Sequence, residues 1–232
     1  APTINEESGS LIYASPPALQ WLTHGTPLTI LSMSSGNLRD ERILSREVGY
    51  VAEIPEYRLS GDIRIFNDQV NRLIVLTATR PVVTMTNNLT WDYVNSPAPA
   101  RVSGIELSAR WRPWNGALIH ASAAHTRIDS DITDATESAP SPTFSLLFSQ
   151  ALPQDLSFSA GYYQVGRMKW QSSSASLAAY GTLDLRLARQ FRFGAQRLEV
   201  ALVTRNALGS YTDYKPEFPE RRTSFLQLNW SY

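Results

Sequence analysis

Residues 103–112 read Ser-Gly-Ile-Glu-Leu-Ser-Ala-Arg-Trp-Arg. Ile105, Leu107, Ala109 and Trp111 fall on one side of an extended chain, and Glu106, Ser108, Arg110 and Arg112 fall on the other. Successive strand side chains point to opposite faces, so a strict period of two marks a strand with one apolar and one charged face. The pattern returns along the chain. Leu183, Leu185, Leu187 and Phe191 oppose Thr182, Asp184, Arg186, Gln190 and Arg192. Leu198, Val200 and Leu202 oppose Glu199 and Arg205, and Leu59, Ile63 and Ile65 oppose Arg58, Ser60, Asp62 and Arg64. The helical spacing i, i+3, i+4 is not sustained in any comparable window. The fold class is all-β.

Turn signals divide the chain into about nine strands, near 43–54, 57–75, 90–111, 116–128, 142–152, 155–170, 180–193, 196–206 and 221–232. Tight connections at Pro55-Glu56, Pro113 to Gly116, Pro153 to Asp155 and Gly194 to Gln196 alternate with longer polar stretches near 77–89, 129–142, 171–179 and 207–220. Many of these strands exceed the usual soluble length of about five or six residues. They reach the roughly nine to eleven residues that a tilted bilayer-crossing strand needs.

Two architectures fit that alternation. In a soluble sandwich the apolar face is the core. In a membrane barrel it meets lipid while the polar face lines the lumen. Composition removes other classes. Lys and Arg number 21 against 21 Asp and Glu, which gives no basic excess for a nucleic-acid surface. With no cysteine, a disulfide framework, a cysteine zinc site and a thiol nucleophile are excluded. No apolar run approaches the roughly 18 residues of a membrane helix, which leaves a membrane barrel open.

Aromatic placement favours the barrel. Tyr57, Trp111, Trp114, Phe191, Phe193, Trp230 and Tyr232 sit near tight-turn ends, and Trp91, Tyr93, Tyr162, Tyr163, Trp170 and Tyr180 nearer the long-connection ends. Trp and Tyr prefer the headgroup level, so two girdles are expected. The last strand, Ser224 to Tyr232, alternates Leu226, Leu228, Trp230 and Tyr232 against Gln227, Asn229 and Ser231. A final aromatic on such a strand resembles the sorting signal of outer-membrane barrels.

These segments together resemble the C-terminal part of the barrel of TonB-dependent outer-membrane receptors. The resemblance rests on Asn37 to Ile43 with Ser45 to Tyr50, on Ile65 to Ile74, and on Tyr93-Val94-Asn95 followed by Gly104 to Leu107 and Trp111-Arg112-Pro113. Arg205 to Tyr211 and Pro219 to Arg222 complete it before the last strand. It implies an antiparallel meander from a transmembrane barrel in the bacterial outer membrane. It further implies energy-coupled uptake of a scarce solute such as an iron–siderophore complex, with cobalamin or carbohydrate taken by some relatives. Such receptors are about 22-stranded plugged barrels, so nine strands are read as part of one, entered midway and without its plug domain. The implied partners are outer-membrane lipid, a plug domain, the TonB system and a metal-chelate ligand. Residues 1–42, rich in Pro, Ser and Thr, are expected to be a loop-rich strand end and extracellular loop, with the barrel strands in 43–232. A complete small barrel of eight or so strands with an adhesive or structural role, and a soluble binding module, are the alternatives.

In the barrel reading Glu106, Arg110, Asp184, Arg186, Glu199 and Arg205 line the lumen, where cross-strand pairing satisfies alternating charges. Tyr211, Asp213 and Tyr214 form an extracellular ligand contact, and Trp111, Trp114, Phe191, Phe193, Trp230 and Tyr232 mark a membrane interface. Asp129, Asp131, Asp134 and Glu137 are oxygen donors of the kind Ca²⁺ takes, but without an EF-hand's glycine and closing glutamate they read as a solvated loop. An odd separation puts His120 and His125 on opposite faces, so they do not share a metal. His24 has no visible partner. No nucleophile elbow, phosphate loop or HExxH helix occurs, and no catalytic residue, metal site or cofactor is expected.

Overall fold

The computed structural model describes residues 11–14, 29–34, 36–84, 86–131, 133–169, 176–213 and 218–232. In chain order the strands are β1 (Leu11–Ala14), β2 (Thr29–Ser34), β3 (Arg42–Ile54), β4 (Leu59–Asn71), β5 (Ile74–Thr84), β6 (Thr86–Asn95), β7 (Ala100–Trp111) and β8 (Ala117–Asp129). After a one-turn helix, α1 (Thr133–Thr136), come β9 (Thr143–Leu152), β10 (Leu156–Val165), β11 (Met168–Lys169), β12 (Ser176–Leu177), β13 (Tyr180–Phe193), β14 (Gln196–Arg205) and β15 (Thr223–Ser231). The chain divides into two units. One comprises Ala1–Ser45 with Asp68–Arg101, the other Arg46–Asn67 with Val102–Tyr232.

The large unit carries the nine-stranded sheet, in the order β15-β14-β13-β10-β9-β8-β7-β4-β3. From β8 to β15, strands adjacent in this sheet pair antiparallel, as in a meander. Both β15 and β3 are edges of this order, so the sheet does not close on itself, and the small complete barrel is ruled out for this arrangement. Tight connections alternate with long ones. A 3-10 turn, Pro55–Tyr57, joins β3 to β4. Gln154 and Asp155, both at positive φ (61° and 55°), turn β9 into β10.

The register fixes the faces. Leu187 pairs with Leu202 and Phe158, and Leu202 with Leu226, all on one side. Ala188 pairs with Ala201 and Ser157, and Gln190 with Glu199, on the other. Among the described residues the buried apolar side chains are Ala100, Ala117, Ala135, Leu177, Ala188 and Ala201, and no large one is fully buried. Leu202, Leu226, Leu228 and Trp230 are each more than half exposed. A sandwich would cover this face with a second sheet about 10 Å away. These four side chains are more exposed than a covered sandwich core would leave them.

The small unit departs from expectation. The stretch 77–89 was expected to be a polar loop, and two long strands were expected at 57–75 and 90–111. Instead β5 and β6 form a hairpin in a second sheet, ordered β1-β2-β6-β5, in which β2 runs parallel to β6. Two breaks explain the split. Arg72 takes a positive φ of 60° after β4, and Pro97 and Pro99 cannot donate to a ladder between β6 and β7. Arg80-Pro81 falls at a register shift between Thr79 and Val82. Segment 1–42, expected to be loop-rich, supplies β1 and β2. Asn95 ties this unit together: its amide donates to the carbonyls of Arg39 and Arg72, both at 2.8 Å, and its oxygen accepts the Arg39 N–H at 2.7 Å.

Candidate functional site

The polar face of the large sheet carries two charge ladders. On β3, β4 and β7, Arg64 lies between Glu47 (3.2 Å) and Glu106 (2.9 Å). Its guanidinium also sits over the Phe66 ring, 5.3 Å from the centroid. Ser108 donates to Asp62 one step along. Phe66 can occupy this face because its neighbour is Gly104. A Cβ there would come within 2.7 Å of the Phe66 ring and 2.5 Å of the His125 carbonyl oxygen. On β13, β14 and β15, Arg186 reaches Glu199 at 2.6 Å, and the Asn229 amide donates to the same carboxylate oxygen at 2.9 Å. Arg205 covers the Phe225 ring at 5.5 Å.

Of the six charges expected on a lumen face, Glu106 and Arg110 share one side of β7, and Asp184, Arg186, Glu199 and Arg205 share one side of β13–β14. Glu106 follows from its bond to Arg64, Arg110 from its place in the period of β7, and Asp184, Arg186, Glu199 and Arg205 from the β13–β14–β15 register. Sequence reasoning singled out Glu106 without Glu47 and Arg64, because pairing across three strands is invisible until the register is known.

At the long-connection end a polar pocket of about 260 Å³ forms, lined by Asp184, Arg205, Asn206, Tyr211, Glu220 and Phe225 among others. Asn206 organises it. Its backbone adopts a φ of 54°, its N–H donates to Asp184 at 2.9 Å, and its amide donates to the Glu220 carbonyl at 3.1 Å. Only 4% of Asn206 is exposed. Tyr211 pairs with Glu220 through two backbone bonds of 3.1 and 2.8 Å. It stacks on Tyr180 with centroids 4.4 Å apart. Burial, then the nearby Asp213, Glu220 and Asp184 carboxylates, push the Tyr211 phenol above its ordinary 10.0, which keeps it protonated and a donor. Asp213 lies in the same connection; Tyr214 lies outside the described residues. Asn206 was not foreseen, although an Asn directly after a strand is the sequence signal of a left-handed turn position.

The aromatics expected at a membrane interface lie toward the opposite end. Phe193 stacks on Trp230 at 6.2 Å, Trp114 donates its indole N–H to Gln150 at 2.6 Å, and Tyr232 is fully exposed. Trp111 shares the apolar side of β7, and Phe191 that of β13, where it faces Leu198. Of the second expected girdle, Tyr162 is on the apolar side opposite Leu183 and Leu146. Tyr163 and Tyr180 are on the polar side with Thr182 and Val165, because adjacent residues on a strand cannot share a face. Tyr93 belongs to β6 of the small sheet. Trp170 and the side chain of Trp91 lie outside the described part. So does His24.

His120 pairs with Leu147 on the polar face, while His125 meets the Ser141 hydroxyl at 3.0 Å. Asp129 is taken by Arg127 at 2.9 Å, and the Asp134 side chain lies outside the described part. Among the described residues no group of three or more metal-ligating side chains comes together.

This arrangement is a sheet with one lipid-like and one charged face, tight turns at one end and structured connections at the other. Residues 1–232 match the family model described as TonB dependent receptor-like, beta-barrel. The chain belongs to the TonB-dependent receptor β-barrel family. No curated protein matches it by sequence. Among solved structures, the siderophore receptor PirA from Pseudomonas aeruginosa superposes with a TM-score of 0.67 at 14% identity, covering 98% of this chain and 36% of that one. PirA from Acinetobacter baumannii gives 0.65 at 15% identity, with 86% and 33% covered. The copper transporter OprC gives 0.63 at 14% identity, with 84% and 32% covered. The chain therefore spans about a third of the length of these TonB-dependent barrels, and at such identities the likeness is one of fold.

Proposed function

We propose that this chain forms part of the wall of a TonB-dependent receptor in the bacterial outer membrane. Its apolar face meets lipid, its charge ladders face the lumen, and its long connections contribute to the outer surface. The observation that carries this reading is exposure along the apolar side: Leu187, Leu202 and Leu226 lie in register across β13–β15, Leu228 lies two residues further along β15, and all four are exposed. In water such a run of exposed leucines would be an apolar patch of the kind that marks an interaction or membrane surface. In hydrocarbon it is the expected surface.

The solute would be a scarce one, such as a metal chelate of the siderophore kind, since the solved relatives are described as siderophore receptors and a copper transporter. The pocket around Asn206 and Tyr211, with Asp213 beside it, would contribute outer-end contacts. The ladders Glu47–Arg64–Glu106 and Arg186–Glu199–Asn229 would stiffen the wall where it faces a plug domain. Work would come from the TonB system acting on that plug, and the wall itself would carry no catalytic step.

Reconstitution into bilayers containing brominated lipid tests the orientation. Trp230 fluorescence should be quenched, while a tryptophan introduced at Ala188 should not. Equal quenching at both positions would remove the reading. Uptake of a ferric siderophore by cells carrying the receptor, lost on deletion of its gene, tests the transport role.

A further inference from the structure

Arg189 interrupts the apolar side of β13. Arg189 lies on the same side of β13 as Leu187 and Phe191, paired with Leu156 on β10 and Val200 on β14. Its diagonal neighbours there, Phe158, Leu198 and Leu202, are all apolar. The carboxylates of these three strands are Asp184 and Glu199, both on the polar face. The nearest turn carboxylate, Asp155, is held by Arg192 at 3.1 Å. A guanidinium on a lipid-facing surface is costly unless it reaches the interface and finds a counter-charge.

The geometry shows where it reaches. The Arg189 guanidinium sits over the Phe191 ring at 5.1 Å, two residues nearer the tight turn at Gly194. Phe191 in turn faces Leu198, whose partner on β15 is Trp230, and Trp230 stacks on Phe193. Arg189 is therefore bent along the strand toward the aromatic belt, with its ring platform beneath it and its N–H donors free to turn outward. We propose that Arg189 binds the phosphate diester of a phospholipid in the leaflet at the tight-turn end. The planar fork of donors matches two phosphate oxygens, and the aromatic belt supports the acyl-chain boundary of the same lipid. This rests on the apolar face meeting lipid, and the test separates the two.

The receptor carrying isotope-labelled arginine is reconstituted into phosphatidylglycerol bilayers, and dipolar dephasing of guanidinium carbon by lipid phosphorus is measured. Brominated-lipid quenching of Trp230 is recorded on the same sample. The expected result is a dephased arginine signal that disappears in Arg189→Leu and is absent from Arg189→Lys, which keeps the charge without the guanidinium. Arg189→Lys should retain phosphatidylglycerol through purification, and Arg189→Leu should lose it. Quenching of Trp230 without Arg189 dephasing overturns the proposal and leaves the lipid-facing reading intact. Unquenched Trp230 overturns both. Equal dephasing in phospholipid-free micelles with inorganic phosphate assigns the site to free phosphate and also overturns it. Should Arg189→Leu fail to assemble, the Lys variant alone decides, since surviving dephasing there means that another arginine carries the signal.

Discussion

The two ends of the large sheet are built by different rules. At the tight-turn end the chain reverses within a few residues, as at Gln154-Asp155, and its side chains are aromatic rings and long amphipathic groups on the apolar face. At the other end the connections run across 130–142, 166–179 and 206–222, and polar side chains knot them through backbone groups, as Asn206 does. The first end is specified locally, by turn residues and by what a headgroup region favours. The second is specified by contacts between segments far apart in sequence. The contrast teaches that, in the proposed wall, one end would hold a fixed level in the membrane and the other would present a shaped polar surface.

The largest expected effect comes from a charge set against depth. Leu187→Arg, in the middle of the apolar band, should lower folding stability in bilayers by about 2–4 kcal/mol. Leu152→Arg, beside a tight turn, should cost only about 0–1 kcal/mol, because the guanidinium reaches the interface. Urea titration of the reconstituted protein reads both, and equal costs would erase the difference between band and rim. Next is Gly104→Ala. Its methyl would overlap the Phe66 ring and the His125 carbonyl, a steric cost of about 1–3 kcal/mol that a paired Phe66→Leu should partly relieve. Asn206→Ala should be comparable, about 1–3 kcal/mol, since it removes one of the two donors to the Glu220 carbonyl, leaving the Tyr211 N–H, and strips the residue that tolerates left-handed backbone. Hydrogen exchange should quicken across 206–222 and stay unchanged at the tight turns.

Arg64→Met should matter less. Its ion pairs are more than 40% exposed, so about 1 kcal/mol or less is expected, shrinking further with added salt. The smallest effect concerns pH. The raised Tyr211 pKa means that the folded connection holds the phenolic proton more tightly than the unfolded chain does. That contribution is complete below the ordinary value of 10.0 and is lost as pH rises through the folded value. Alkaline exchange at Tyr211 to Glu220 should therefore rise above pH 10, and Tyr211→Phe should flatten the rise.

Legibility in the sequence follows the same divide. Six of the nine sheet strands were readable to within a few residues, because alternation such as Leu183 to Arg192 carries its own face assignment. Three were drawn too long: 57–75, 90–111 and 155–170, the last of which stops at Val165. Local signals mark the first two breaks: a turn at Asn71-Arg72, and Pro97 with Pro99, whose missing N–H groups end a ladder. The small sheet was not readable, since its parallel pairing of β2 with β6 joins segments more than fifty residues apart. The charge partners were half readable. Period two says that Glu199 and Arg186 share a face, but only the register places them at 2.6 Å. Tyr163 shows the limit of counting aromatics by height without parity, because its neighbour Tyr162 occupies the apolar side.

Period two also has a consequence for how such a chain travels. A segment that alternates Leu with Arg or Asp carries half the apolar density of a membrane helix, and among the described residues no helix is long and apolar enough to cross a bilayer. Machinery that captures continuous apolar stretches has nothing to hold. The greasy surface does not exist in the extended chain at all. It is created only when neighbouring strands pair and bring Leu187, Leu202 and Leu226 side by side. In the proposed wall, folding and membrane entry would thereby be one event, and strands that paired early, in water, would expose that surface to aggregation.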